Sequence, residues 1–364
     1  MRFRFTAIAI AGLALAPAVQ SQATYVQYNG NAEKAVVVPD AGVGGGITNP
    51  LYLPPASDNN YSGIVNLWFR NAAGVVRGAC TGTLLEGGGR MKILTAGHCV
   101  SDNSDTIVWS SFTARFRNPN GTFTEINGTG FAVQSNYSGN VLEEQDVAVL
   151  TLSAPAPATA RGYTLFAGNP LVDYTMAGFG RTGDGLTGDG NSANNQFGAV
   201  NVLRAGRNRF ESTGNDAGEF VPDGFGVEAT YGGILLSDFD PIGGSTTSFM
   251  CAALEFCSAG FGLGETAIGR GDSGSAAFTN TWQVLGVASW GSSISSSSTT
   301  LSQYNTDFGY ACVANFAANA ACLANYRFVQ TQLANVVPEP STYALMGTGL
   351  IALIGIARRR NARS

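Results

Sequence analysis

From Tyr61 onward the chain breaks into apolar stretches of strand length separated by turn residues, and this spacing constrains the fold most. Residues 63–69, 78–85, 92–96, 106–116, 130–134 and 147–152 follow one another with no long run of helical periodicity. A Pro- and Ala-rich stretch, 154–160, reads as the crossing to a second half. There strands are expected at 174–179, 201–205, 225–231, 275–278, 283–290 and 307–310. One helix is expected over 314–333. With 48 glycines and only 12% charged residues, the composition fits a turn-rich, all-β extracellular protein. The pattern predicts an antiparallel barrel or sandwich, and no repeat of solenoid period is present.

Both ends read as addresses. Arg2 and Arg4 precede a short apolar core, residues 7–16, and Ser21-Gln22-Ala23 offers small residues at a cleavage site. Residues 1–23 are therefore expected to be a signal peptide. Residues 24–60 read as a propeptide, linker or surface-wrapped segment, and 61–335 as the folded body. At the other end Val337-Pro338-Glu339-Pro340 leads into an apolar run, 343–357, closed by Arg358-Arg359-Arg360. That order resembles the PEP-CTERM sorting signal of Gram-negative bacteria. The resemblance implies an exosortase as processing partner for residues 336–364, transient membrane anchoring through 343–357, and a body exported to the envelope or beyond. Net charge is −5 overall, and the body is more acidic once both Arg-bearing ends are set aside. An acidic body does not favour nucleic acid as a partner.

Six cysteines in an exported chain point to disulfides. Proximity in sequence pairs Cys80 with Cys99, Cys251 with Cys257, and Cys312 with Cys322. No CxxC pair exists, and the chain's one histidine sits beside Cys99, which argues against zinc. Asp184 and Asp189 lie in a Gly- and Asn-rich stretch that could hold calcium, but EF-hand spacing is absent and a solvated loop is the better reading.

Three segments carry chemistry: Leu94-Thr95-Ala96-Gly97-His98-Cys99, Gln145-Asp146-Val147-Ala148-Val149-Leu150, and Gly269-Arg270-Gly271-Asp272-Ser273-Gly274-Ser275. A serine between glycines sits in a tight turn whose backbone N–H groups can converge on an oxyanion. Its hydroxyl is a weak nucleophile that requires a base, and His98 is the single imidazole available. A base in turn needs a carboxylate to fix its tautomer, and Asp146 beside an apolar run is the candidate.

In the order His, Asp, Ser, these segments resemble the three motifs of chymotrypsin-like (family S1) peptidases. Ordered support comes from Cys80-Thr81-Gly82-Thr83-Leu84, from Ala177-Gly178-Phe179-Gly180, and from Ser289-Trp290-Gly291. The resemblance implies two six-stranded antiparallel β-barrels with a short C-terminal helix. It implies a secreted serine endopeptidase acting on protein or peptide substrates without a cofactor. Ser273 is then the nucleophile, His98 the base, and Asp146 its orienting acid. Gly271 and Ser273 form the oxyanion hole, Ser289 lies near Asp146, and Trp290 and Gly291 line the cleft. The primary-pocket floor falls on Ala267, which favours an apolar or aromatic P1 residue over Arg or Lys. Gly269 stands where relatives carry a pocket-bracing cysteine. Relatives also free an N-terminal Ile or Val whose ammonium pairs with the residue here numbered Asp272. Val43-Gly44-Gly45 is the nearest such sequence, and Ala41-Gly42 rather than a basic residue directly precedes it. The competing reading is a catalytically silent binding or adhesion module of the same fold.

Overall fold

The computed structural model describes residues 50–101, 106–141, 143–180, 202–214, 232–239, 260–261, 264–294 and 305–335. It gives backbone alone at 36–38, 50, 182–184, 292–294 and 305–307. The expected signal peptide, the Cys251–Cys257 pair, Asp189, the strand at 225–231 and the tail 336–364 lie outside the described residues.

Six strands form the first half: β1 (Ile64–Arg70), β2 (Val76–Leu84), β3 (Lys92–Thr95), β4 (Ser111–Arg117), β5 (Phe123–Val133) and β6 (Ala148–Leu152). They close into a barrel in the order β1-β2-β3-β6-β5-β4, with every neighbouring pair antiparallel. Ile64, Leu67, Phe69, Leu94, Phe112 and Leu150 fill it, all buried. Closure leaves no unpaired edge, so short strands can persist without aggregating.

Two strands differ from expectation. The fourth begins at Ser111 rather than at residue 106, because the chain first turns so that the Trp109 indole N–H donates to Cys99 O at 2.7 Å. The fifth runs from Phe123, seven residues earlier than expected. Glu125, Asn127 and Thr129 form its wet face, so apolar content alone misses it.

The second half is a seven-stranded antiparallel sheet. Its strands are β7 (Asp173–Gly178), β8 (Arg204–Arg209), β9 (Ser212–Thr213), β10 (Ile234–Phe239), β11 (Ala276–Phe278), β12 (Val284–Ile294) and β13 (Asn305–Cys312). The order is β8-β7-β11-β12-β13-β10-β9, so among the described residues this sheet curves as a half-barrel rather than closing. Tyr174, Met176, Phe210, Leu235, Phe308 and Tyr310 pack on its inner face. Ala177, Phe179, Leu203 and Phe278 turn the other way, into the cluster shared with the first barrel.

The one α-helix of the described residues, α1 (Ala320–Ala334), starts six residues later than expected. Asn319 caps it, its side-chain oxygen accepting from Ala321 N at 3.1 Å and Cys322 N at 3.0 Å. The Cys312–Cys322 disulfide ties its first turn to β13. Asn325 anchors it to the body by donating to Glu144 O at 2.6 Å and Cys312 O at 2.9 Å. Among the described residues no helix is long and apolar enough to cross a membrane.

Candidate active site

His98 sits in a 3-10 turn, Gly97–Cys99, directly after β3. The Cys80–Cys99 disulfide fastens that turn to β2. Asp146 ends the loop before β6 and has no exposed surface. A carboxylate in that position must be satisfied by donors, and three groups serve. Asp146 Oδ1 accepts the His98 backbone N–H at 2.7 Å, and Oδ2 lies 2.7 Å from His98 Nδ1. The Ser289 hydroxyl reaches the same Oδ2, and also lies 2.8 Å from Val141 O. An anionic acceptor at Nδ1 places the imidazole proton on that nitrogen and leaves the lone pair on Nε2. The His98 ring is thereby held in a fixed orientation.

The serine turn precedes β11 and joins the two halves. Gly271 and Gly274 take φ of 102° and 83°, a region that favours glycine. Asp272 N–H donates to Gly269 O at 2.9 Å and Ser275 N–H to Asp272 O at 2.6 Å. Barrel strand β2 grips the turn from one side. Thr81 N–H donates to Ser273 O at 2.9 Å, and Thr81 Oγ1 donates to Gly271 O at 2.9 Å. Cys99 Sγ lies 3.6 Å from the same Ser273 carbonyl. From the other side Gly274 N–H donates to Ala288 O at 2.9 Å. Ser273 is therefore docked on the strand and the disulfide that also fix His98. Ser273 keeps 7% of its surface and His98 6%, so both residues are largely enclosed.

Residues 55–219 match the trypsin family. Over this stretch the chain resembles a trypsin-family domain. Residues 336–361 match the PEP-CTERM protein-sorting motif. The family match holds His98 and Asp146, while the Ser273 turn lies beyond it and is brought to them by the fold. A solved structure titled HL collagenase aligns over 78% of this chain and 97% of its own, at 17% identity and a TM-score of 0.49. No curated protein matches the chain.

The remaining expected residues fall in several places. Ala267 has no exposed surface and belongs to the core of the second sheet. Gly291 is exposed at the rim. The half-buried Trp290 packs on Ile234 and Leu236, which draws its ring toward β10. Asp272 is fully enclosed, with Oδ1 accepting from Gly180 N at 2.9 Å and Oδ2 from Gly269 N at 3.2 Å. Burial pushes its carboxyl well above the usual range, against the Gly180 hydrogen bond and the charge of Arg204. A Cβ on Gly178 or Gly180 would overlap this carboxylate, which explains both glycines of that motif. For Asp184 only backbone is described, pairing in parallel with Val38.

Thr81 is the site residue that sequence reasoning missed. Its hydroxyl donates to Gly271 and accepts the Phe179 N–H at 3.0 Å, bridging partners far from it in sequence. The signal available was a threonine in the buried second half of that strand, next to Cys80. Ser289→Ala should lower kcat about 10-fold with KM little changed, because a hydrogen bond to a charged group is worth roughly 1.5–3 kcal/mol. Steady-state kinetics on a peptide ester checks this, and an unaltered kcat would remove Ser289 from the arrangement.

Proposed function

We propose that the chain is an exported serine endopeptidase working through an acyl-enzyme on Ser273. The observation that carries this reading is the buried Asp146 holding the backbone N–H and the ring Nδ1 of His98, while the Ser273 turn docks on β2, the strand that the Cys80–Cys99 disulfide ties to the His98 turn. Ser273 Oγ attacks the scissile carbonyl as His98 Nε2 takes its proton. His98 then returns that proton to the leaving amine. Asp146 stabilises the imidazolium between those events. The backbone N–H groups of Gly271 and Ser273 receive the oxyanion. Water repeats the sequence to release the acid. Residues 1–23 direct export, and an exosortase acts on 336–364.

Substrate choice follows from what faces Gly291. A Cβ on Gly291 would lie 3.6 Å from Phe308 Cβ and 3.8 Å from Ile268 Cγ1, and Ala267 beneath has no exposed surface. On this reading Phe308, the strand partner of Gly291, is the residue that limits the length of the P1 side chain. The reading narrows the expected apolar or aromatic P1 to small residues such as Ala or Gly. Phe308→Gly should raise kcat/KM for a Phe-P1 peptide relative to an Ala-P1 peptide by roughly 10-fold or more. Equal ratios in parent and variant would rule out Phe308 as the limit.

A fluorophosphonate probe applied to the full chain and to Ser273→Ala tests the central reading. Labelling of the parent alone supports it; absence of labelling in the parent leaves a silent binding module.

A further inference from the structure

Asp272 is a carboxylate with no exposed surface, and its nearest donors are two backbone N–H groups, of Gly180 and Gly269. Dipoles alone are a poor match for a buried charge. In relatives a freed N-terminal ammonium supplies the cation, yet in this chain Ala41-Gly42 rather than a basic residue directly precedes the nearest candidate, Val43.

The sheet register supplies another cation. Arg204 opens β8 directly opposite Gly178 of β7 in the antiparallel pair. Opposed residues of such a pair project to the same face. On that face a Cβ at Gly178 would run into Asp272 Oδ1. The Arg204 side chain therefore leaves the sheet on the side where the carboxylate lies, and it is partly buried there. We infer that Arg204 is the built-in counter-charge of Asp272 and a positioning residue for the Ser273 turn. The turn is then held in working shape without release of a new N-terminus. This rests on the serine-peptidase reading above.

Two further observations agree. The charges act on each other in both directions: Arg204 lowers the Asp272 carboxyl against its burial, and Asp272 raises the Arg204 guanidinium against its own. Other groups set against Asp272 among the described residues include the Gly180 and Gly269 N–H donors and the Tyr310 phenol, which carry no positive charge. Gly178 is the residue that makes room. With any side chain there, Arg204 and Asp272 would be separated by it.

The test uses the full chain secreted from a Gram-negative host, with fluorophosphonate labelling rate as readout and the N-terminus of the labelled protein read by mass spectrometry. The parent should label with whatever N-terminus export leaves, and acetylation of that amine should change nothing. Arg204→Gln should slow labelling by about 100-fold or more, and Arg204→Lys should restore part of the rate. In an Asp272→Asn background, Arg204→Gln should have little further effect, which a general loss of folding would not produce. Near-UV circular dichroism and the melting temperature accompany each variant. Labelling confined to protein starting at a newly freed residue, with loss on acetylation, overturns the inference. So does Arg204→Gln labelling at the parent rate. A parent that never labels removes the peptidase reading itself, and the inference with it.

Discussion

Ser273→Ala is expected to lower peptide hydrolysis by about 10³-fold or more and to abolish fluorophosphonate labelling. The substitution removes the one atom that forms the acyl bond and leaves the turn intact, because the turn is held by backbone groups. Ser273 contributes its carbonyl to Thr81 N–H, and alanine keeps that carbonyl. The melting temperature should therefore hold within a few degrees. His98→Ala should be as severe, since the sequence contains no other imidazole to take its place. The double variant should be little worse than either single one, because nucleophile and base act as a unit. Asp146→Asn should lose about 10⁴-fold in kcat. Its amide cannot offer acceptors to both the His98 backbone N–H and Nδ1–H at once, so the wrong tautomer gains ground. Retained labelling in Ser273→Ala, or peptide hydrolysis at the parent rate in His98→Ala, would contradict these assignments.

Legibility in the sequence tracks how local each feature is. The barrel strands with an apolar face were readable because alternation is written within each segment. β5 was not, since its wet face dilutes the pattern and Gly128 and Gly130 stand at an irregularity in its pairing. β10 was missed for the opposite reason: Ile234–Phe239 is buried on both faces, so it carries no alternation to find. His98, Asp146 and Ser273 stood out because each lies in a short motif. Thr81, Gly178 and Arg204 did not, because their roles come from partners across the fold. Thr81 meets Gly271 across 190 positions. Arg204 faces Asp272 only through the register of β8 on β7. Pocket shape was illegible for the same reason, as Phe308 reaches Gly291 only once β13 pairs with β12.

Gly274→Ala should destabilise the protein by about 4 kcal/mol or more and silence the site together with the fold. Two effects add. At φ of 83° an added Cβ strains the backbone by roughly 1–2 kcal/mol. The larger effect is steric. The space that Cβ would enter already holds Thr95 Oγ1, Thr81 O and the Ala96 N. Thr95 Oγ1 donates to Thr81 O at 2.9 Å there, so the methyl would push into an existing hydrogen bond between β2 and β3. Those are the strands that carry Cys80 and lead into His98. Relief by moving the turn would pull Ser273 O from Thr81 N–H and Gly274 N–H from Ala288 O, leaving buried polar groups unpaired at about 1–3 kcal/mol each. Calorimetry should show a melting temperature lower by about 8–16 °C, with labelling lost in proportion. Combining it with Thr95→Ala removes one of the overlapping atoms and should return part of the stability, because Thr81 O and Ala96 N remain. A single variant as stable as the parent would mean that the serine turn is not clamped between the two halves of the fold.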